Sequence, residues 1–140
     1  AGLDALGAQI GLADTAPDAA GYWGLTTTSA TDQITLLRNL TDPSTTLSPT
    51  SQAYALGLMA QVESDQVWGV SAGLAPGTSR WLKDGWLPES DGWYVNSVGI
   101  VEGSGRHYAL VVLTAGSVTQ DAGEATVEGL STLVWGLLAH

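Results

Sequence analysis

The chain has no cysteine and very little positive charge. Among its 140 residues Lys83 is the only lysine, and with Arg38, Arg80 and Arg106 it faces 14 carboxylates, for a net charge of −10. Without thiols there can be no disulfide and no thiolate metal site, although compartment stays open, because exported bacterial proteins often lack cysteine as well. So acidic a surface repels phosphate backbones, which argues against nucleic acid and against anionic membrane surfaces as partners. No apolar run approaches the roughly 18 residues of a membrane span, and no signal-peptide pattern stands at the start. Internal repeats and low-complexity linkers are absent too. The chain opens at Ala1 without a methionine, as expected of a processed product or a fragment.

Hydrophobic residues make up 44 % and charged ones 13 %, the balance of a globular chain rather than a disordered one. The length suits a single domain, or part of one, over residues 1–140, burying roughly two thirds of its extended surface. Leu3, Leu6 and Ile10 have helical spacing up to Gly11. A loop with Pro17 and Gly21 follows, and then a helix expected over Ser29 to Leu40. There Ser29 and Asp32 form a capping-box-like pair, and Ile34, Leu37 and Leu40 a core stripe. Ser48-Pro49 starts a third helix, expected to carry Tyr54, Leu58 and Val62 inward. Beyond Ser64 the texture changes. A short apolar run, Val67 to Ala72, precedes three expected strands at Ser79–Leu87, Trp93–Glu102 and His107–Thr114, joined by hairpin-like connections. A last helix is expected from Asp121 to Ala139, with Val127, Leu130, Val134 and Leu137 as its stripe. Its Gly129 and Gly136 cost about 1 kcal/mol each relative to alanine, so close packing of these glycines against a sheet would account for them. Helices, an antiparallel sheet and a closing helix make an α+β domain.

Two features carry functional meaning. Tyr108 to Leu113 is apolar on both faces, so the strand calls for cover on both sides and pairing on both edges, and only Trp93 to Glu102 can pair with one of them. Another chain, or a further part of this one, is expected to cover the 108–114 strand. The second feature is Lys83-Asp84-Gly85-Trp86, where the one ammonium group stands beside an aromatic strand. Lys83 is readable as an edge-strand lysine that blocks sheet-to-sheet association, or as one wall of a cleft. Trp81, Trp86 and Trp93 suit cross-strand packing, or a stacking surface for sugars or peptides. His107 opens a strand and His140 ends the chain, which is unlike a metal pair; His140 better suits the terminal carbonyls of its helix. Ser97 has no visible base to make it a nucleophile. Gly103-Ser104-Gly105 is more simply a hairpin turn than a phosphate loop.

The run from Trp81 to Thr114, WLKDGWLPESDGWYVNSVGIVEGSGRHYALVVLT, resembles the C-terminal sheet of the serine β-lactamase and penicillin-binding protein superfamily, the class A-like group in particular. Lys83-Asp84-Gly85 falls where that family has its Lys-Thr/Ser-Gly box. Gly24-Leu25-Thr26-Thr27-Thr28-Ser29-Ala30 is similar to the Thr-rich cap of the helix after its omega loop, and Asp121 to His140 to its last helix. The resemblance covers nearly the whole chain but only the family's C-terminal half. It implies an antiparallel sheet packed with helices, as in the C-terminal portion of the β-lactamase/transpeptidase-like fold. It gives Lys83 an electrostatic and proton-transfer role. Gly85 becomes the point of close substrate approach, Asp84 occupies the position of the hydroxyl that binds the substrate carboxylate, and Trp86 supplies a backbone N–H to the oxyanion hole.

The departures are as informative. With residue 80 an arginine and one lysine in the chain, no Ser-x-x-Lys exists. The Ser-Asp-Asn element is absent, the only acids between Leu12 and Gly24 are Asp14 and Asp18, an ionised Asp84 would repel a substrate carboxylate, and Val98 stands where many lactamases have arginine. The expected function is therefore a segment of a serine hydrolase acting by acyl transfer on a β-lactam, a peptidoglycan peptide or an ester. It needs no cofactor or metal, and it would be inactive until an N-terminal half or second chain brings the nucleophile. The competing expectation is a non-catalytic module that binds peptidoglycan or a protein. An extracytoplasmic location is implied by the resemblance alone.

Overall fold

The computed structural model describes residues 2–139, and the chain divides into two compact units, Ala1–Ala55 and Leu56–His140. The first holds helices α1 (Gly2–Ile10) and α2 (Ala30–Thr41) and the start of α3 (Pro49–Met59). Ile10, Leu37 and Leu40 are its buried apolar side chains. Only half of the expected capping box forms. Ser29 Oγ accepts from the Asp32 N–H at 3.2 Å, but the Asp32 carboxylate turns to the preceding loop. There it accepts from the Ala13 N–H (3.1 Å), the Asp14 N–H (2.8 Å) and the Thr15 hydroxyl (2.7 Å). An Ala16–Thr27 bridge closes the same loop.

Helix α3 corrects an expectation. Its one buried side chain is Gln52, while Tyr54 and Leu58 stay 70 % and 56 % exposed. Gln52 Nε2 donates to the Asn39 and Asp42 carbonyls, both at 2.8 Å, and so satisfies orphan acceptors around the C-terminus of α2. At about 100° per residue, Tyr54 then lies roughly 200° around the helix from Gln52. The polar cap, rather than the apolar residues, sets the rotation of α3.

The second unit is a three-stranded antiparallel sheet in the order β1-β2-β3 with a helix packed on one face. Its strands are β1 (Ser79–Glu89), β2 (Gly92–Gly103) and β3 (Arg106–Ser117), each longer than its sequence pattern indicated. Two-residue hairpins join them. At Ser104-Gly105 both φ angles are positive, 52° and 76°, the geometry of the primed turn whose twist suits a hairpin, and it fixes Gly103 opposite Arg106. Both β1 and β3 are edge strands among the described residues. Period-2 alternation sends Leu82, Val95 and Val112 to one face, where Trp68, Val70 and Val127 complete the buried cluster.

The closing helix α4 (Gln120–Leu137) is capped by Thr119, whose hydroxyl accepts from the Ala122 N–H at 3.1 Å. Its buried residues are Gly123, Val127 and Ser131, one every four positions. Of the expected stripe, Val127 is buried and Val134 half-buried, while Leu130 and Leu137 are 43 % and 71 % exposed. The glycine that packs closely is Gly123, where a Cβ would run into Val95, whereas Gly129 and Gly136 face open space. Arg106 ties the hairpin to the end of α4, its guanidinium 4.0 Å from the Trp135 ring centroid and its Nε donating to the Leu138 carbonyl at 3.0 Å. The role expected of His140 falls outside the described residues.

Candidate functional site

The run Lys83 to Trp86 lies in the middle of the edge strand β1, and alternation divides it between the two faces of the sheet. Lys83 is exposed, while Asp84 beside it is only 4 % exposed, on the face shared with Leu82 and the buried cluster. Gly85 follows Lys83's side and Trp86 follows Asp84's. The register sets Lys83 opposite Val98, Asp84 opposite Ser97, Gly85 opposite Asn96 and Trp86 opposite Val95. The exposed face of the box is thus Lys83 and Gly85, bordered by Val98 and Asn96. A Cβ at Gly85 would meet nothing within 4 Å, so the strand is open to close approach there. The Lys83 ammonium donates to the Asp84 carbonyl oxygen. Asn96 is a structural residue whose Oδ1 accepts from the Thr114 N–H at 2.9 Å, next to the irregularity in β2–β3 pairing.

Asp84 was expected beside a substrate carboxylate; instead its side chain lies beneath the strand. Trp86 is 38 % exposed and its ring meets Trp68 at 5.8 Å between centroids, tilted by 55°. This joins the box strand to the 3-10 turn Gly69–Ser71 that follows Trp68. Burial pushes the Asp84 carboxyl up to about 6, against the opposing pull of the Ser97 hydroxyl, the Lys83 charge and the Trp68 N–H, with Glu124 adding to the rise. No group stands in full hydrogen-bond geometry to either carboxyl oxygen.

Three residues of this region have roles that sequence reasoning missed: Ser97 was weighed there only as a nucleophile, and Ser131 and Gly69 were not singled out. Ser97, fully buried, accepts the Val70 N–H at 2.9 Å. Ser131 on α4, also fully buried, donates to the Val70 carbonyl at 2.9 Å and to that of Ala72 at 3.0 Å. The backbone of the 3-10 turn is therefore held between two serines. Gly69 is the third: φ is +64°, and a Cβ there would collide with Ser97 and stand 3.1 Å from an Asp84 oxygen. A lone serine on the inward face of an apolar strand was the available signal. Among the described residues no three His, Asp or Glu side chains gather where they could hold a metal, and no helix is long and apolar enough to cross a membrane.

The family model of the beta-lactamase enzyme family matches residues 3–138. No curated protein matches the chain. Among solved structures, a mutant of PBP-A described as an acyl-enzyme complex with penicillin G is 21 % identical, with a TM-score of 0.78 over 96 % of this chain and 50 % of its own. PBP-A itself is 20 % identical, with a TM-score of 0.76 over 96 % of this chain and 49 % of its own. A beta-lactamase from Chitinophaga pinensis is 20 % identical, with a TM-score of 0.75 over 91 % of this chain and 51 % of its own. The chain spans about half the length of these structures, and its α+β fold is theirs. A match over nearly every residue, together with the Lys83 strand and the helix closing behind it, places the chain in the beta-lactamase enzyme family.

Proposed function

We propose that this chain forms the sheet wall of a serine acyl-transfer site, acting on a β-lactam, a peptidoglycan peptide or an ester, whose nucleophile lies outside residues 1–140. The observation that carries this reading is the exposed Lys83 on a free strand edge, with open space over Gly85. In this scheme Lys83 supplies positive potential for an anionic substrate, and Gly85 lets the substrate backbone lie along β1 as an added strand. The Asp84 carbonyl accepts from the Lys83 ammonium. Residues two apart along an antiparallel strand direct their backbone groups to the same edge, so the Trp86 N–H would share that aspect and could serve a developing oxyanion. Asp84 would act from beneath the strand, through the backbone it supports. The missing half, or a second chain, would cover β3 and bring the serine, as the half-length coverage of the similar structures suggests. By family likeness such an enzyme works outside the cytoplasm.

A fluorescent penicillin tests this. The 140-residue chain alone should stay unlabelled in an intact-mass measurement. A longer polypeptide that contains it should be acylated at a serine upstream, and Lys83→Ala should slow that acylation by roughly 10²- to 10⁴-fold. Unchanged acylation in the Lys83→Ala protein would refute the assignment. A second reading, a non-catalytic module that binds peptidoglycan or a protein, is favoured by the absence of Ser-x-x-Lys from the chain. It would be supported by cosedimentation of the unlabelled chain with cell-wall material, weakened by Trp86→Ala.

A further inference from the structure

Among the described residues, the side chain with two buried oxygens lacking a full hydrogen-bond partner lies directly under the box. Both Asp84 oxygens are buried without a partner in full hydrogen-bond geometry, although the surroundings are polar. Ser97 stands opposite on β2, already accepting the Val70 N–H, so its hydroxyl proton is left for Asp84. Gly69 presses its backbone against both side chains, too close for any Cβ. From the remaining elements, α4 contributes Glu124, β1 contributes Lys83, β3 places Val112 opposite Ser97, and the chain before the turn contributes the Trp68 N–H. A neutral carboxyl can donate one proton and accept another in such a place, whereas a carboxylate meets a single hydroxyl and one amide in a low-dielectric core.

We propose that Asp84 and Ser97 form a buried proton-dependent latch that fastens the 3-10 turn Gly69–Ser71 to the underside of the Lys83 strand, tight when Asp84 is protonated and loosened when it ionises. The Trp68–Trp86 contact bridges the same two elements, so the latch sets how firmly the box strand is backed. Burial already lifts the Asp84 carboxyl to about 6, which centres the switch in mildly acidic conditions. The latch is independent of the acyl-transfer reading, since it concerns only groups under the sheet.

The test is a pH titration of the protein from 4 to 8 by NMR, following the Asp84 carboxyl carbon and the amides of Trp68 and Val70. The carboxyl and both amides should titrate together near pH 6. Asp84→Asn should abolish the amide transition, and Ser97→Ala should move the Asp84 midpoint upward. Glu124→Gln should lower that midpoint slightly. An Asp84 midpoint below about 4.5, measured on the unmodified protein, overturns the proposal even if a variant fails to fold. So does an amide transition that persists in Asp84→Asn, since it would then belong to another group.

Discussion

Asp32 and Asp84 expose nearly the same small fraction of their surface, 2 % and 4 %, yet their chemistry runs in opposite directions. Asp32 sits at the start of α2 and receives two backbone amides and a hydroxyl from the loop it anchors. The Thr15 hydroxyl, with the Asp14 and Ala13 amides behind it, outweighs burial and holds the carboxyl below its ordinary range. Asp84 has only the Ser97 hydroxyl and the Trp68 amide near it, neither in full hydrogen-bond geometry, and burial dominates. Low exposure alone does not decide what an acid does. The number of donors aimed at it does, because a carboxylate needs several hydrogen bonds to replace its lost water.

The comparison breaks most visibly with pH. A folded carboxyl lifted from 3.8 to about 6 contributes stability that is fully present below the unfolded value and lost as pH rises through about 6. The difference amounts to at most about 3 kcal/mol. Asp84→Asn should therefore raise the melting temperature of the second unit at pH 7.5 and leave it nearly unchanged at pH 4.5. A loss at pH 7.5 would mean that the carboxylate is better solvated than its position indicates. For Asp32 the sign reverses. Its depressed carboxyl contributes stability above the ordinary carboxylate range, lost as pH falls through the folded value. Acidification, or Asp32→Asn, should release the 13–15 loop first, seen as faster hydrogen exchange at the Asp14 amide with the sheet amides unaffected.

Sharper tests concern the donors and the spacing. Ser97→Ala removes the acceptor of the buried Val70 N–H as well as Asp84's hydroxyl, and should cost about 1–3 kcal/mol in denaturant unfolding. On α4, Gly123→Ala pushes a Cβ into Val95 and should cost a similar 1–3 kcal/mol. Gly129→Ala faces open space and should stabilise by up to about 1 kcal/mol. Equal effects at the two glycines would show that α4 does not lie against the sheet as described.

Much of this was legible in the chain. Period-2 alternation and turn residues located all three strands, because a two-residue hairpin demands residues such as Ser104-Gly105 that tolerate positive φ. The box appeared at once, since a lone lysine beside glycine in an acidic chain has few equivalents. The buried face of α4 was misread because leucines were weighted above Gly123 and Ser131. In the structure the helix approaches the sheet closely at its small residues, and Ser131 is used for a hydrogen bond rather than for volume. The rotation of α3 was misread for a related reason, since capping α2 with Gln52 outweighed the apolar pattern.

Local chemistry by itself determined the elements, their order, the acidic surface and the position of Lys83, since each depends on residues close together along the chain. The tertiary structure alone decided that Asp84 points inward with no donor in full hydrogen-bond geometry, that Ser97 and Ser131 grip one turn from two sides, and that Gln52 caps a helix ten residues and more before it. Those outcomes depend on which donors meet which acceptors across tens of residues. No periodicity records that, because it is set by the closing of the hairpins and the docking of α4.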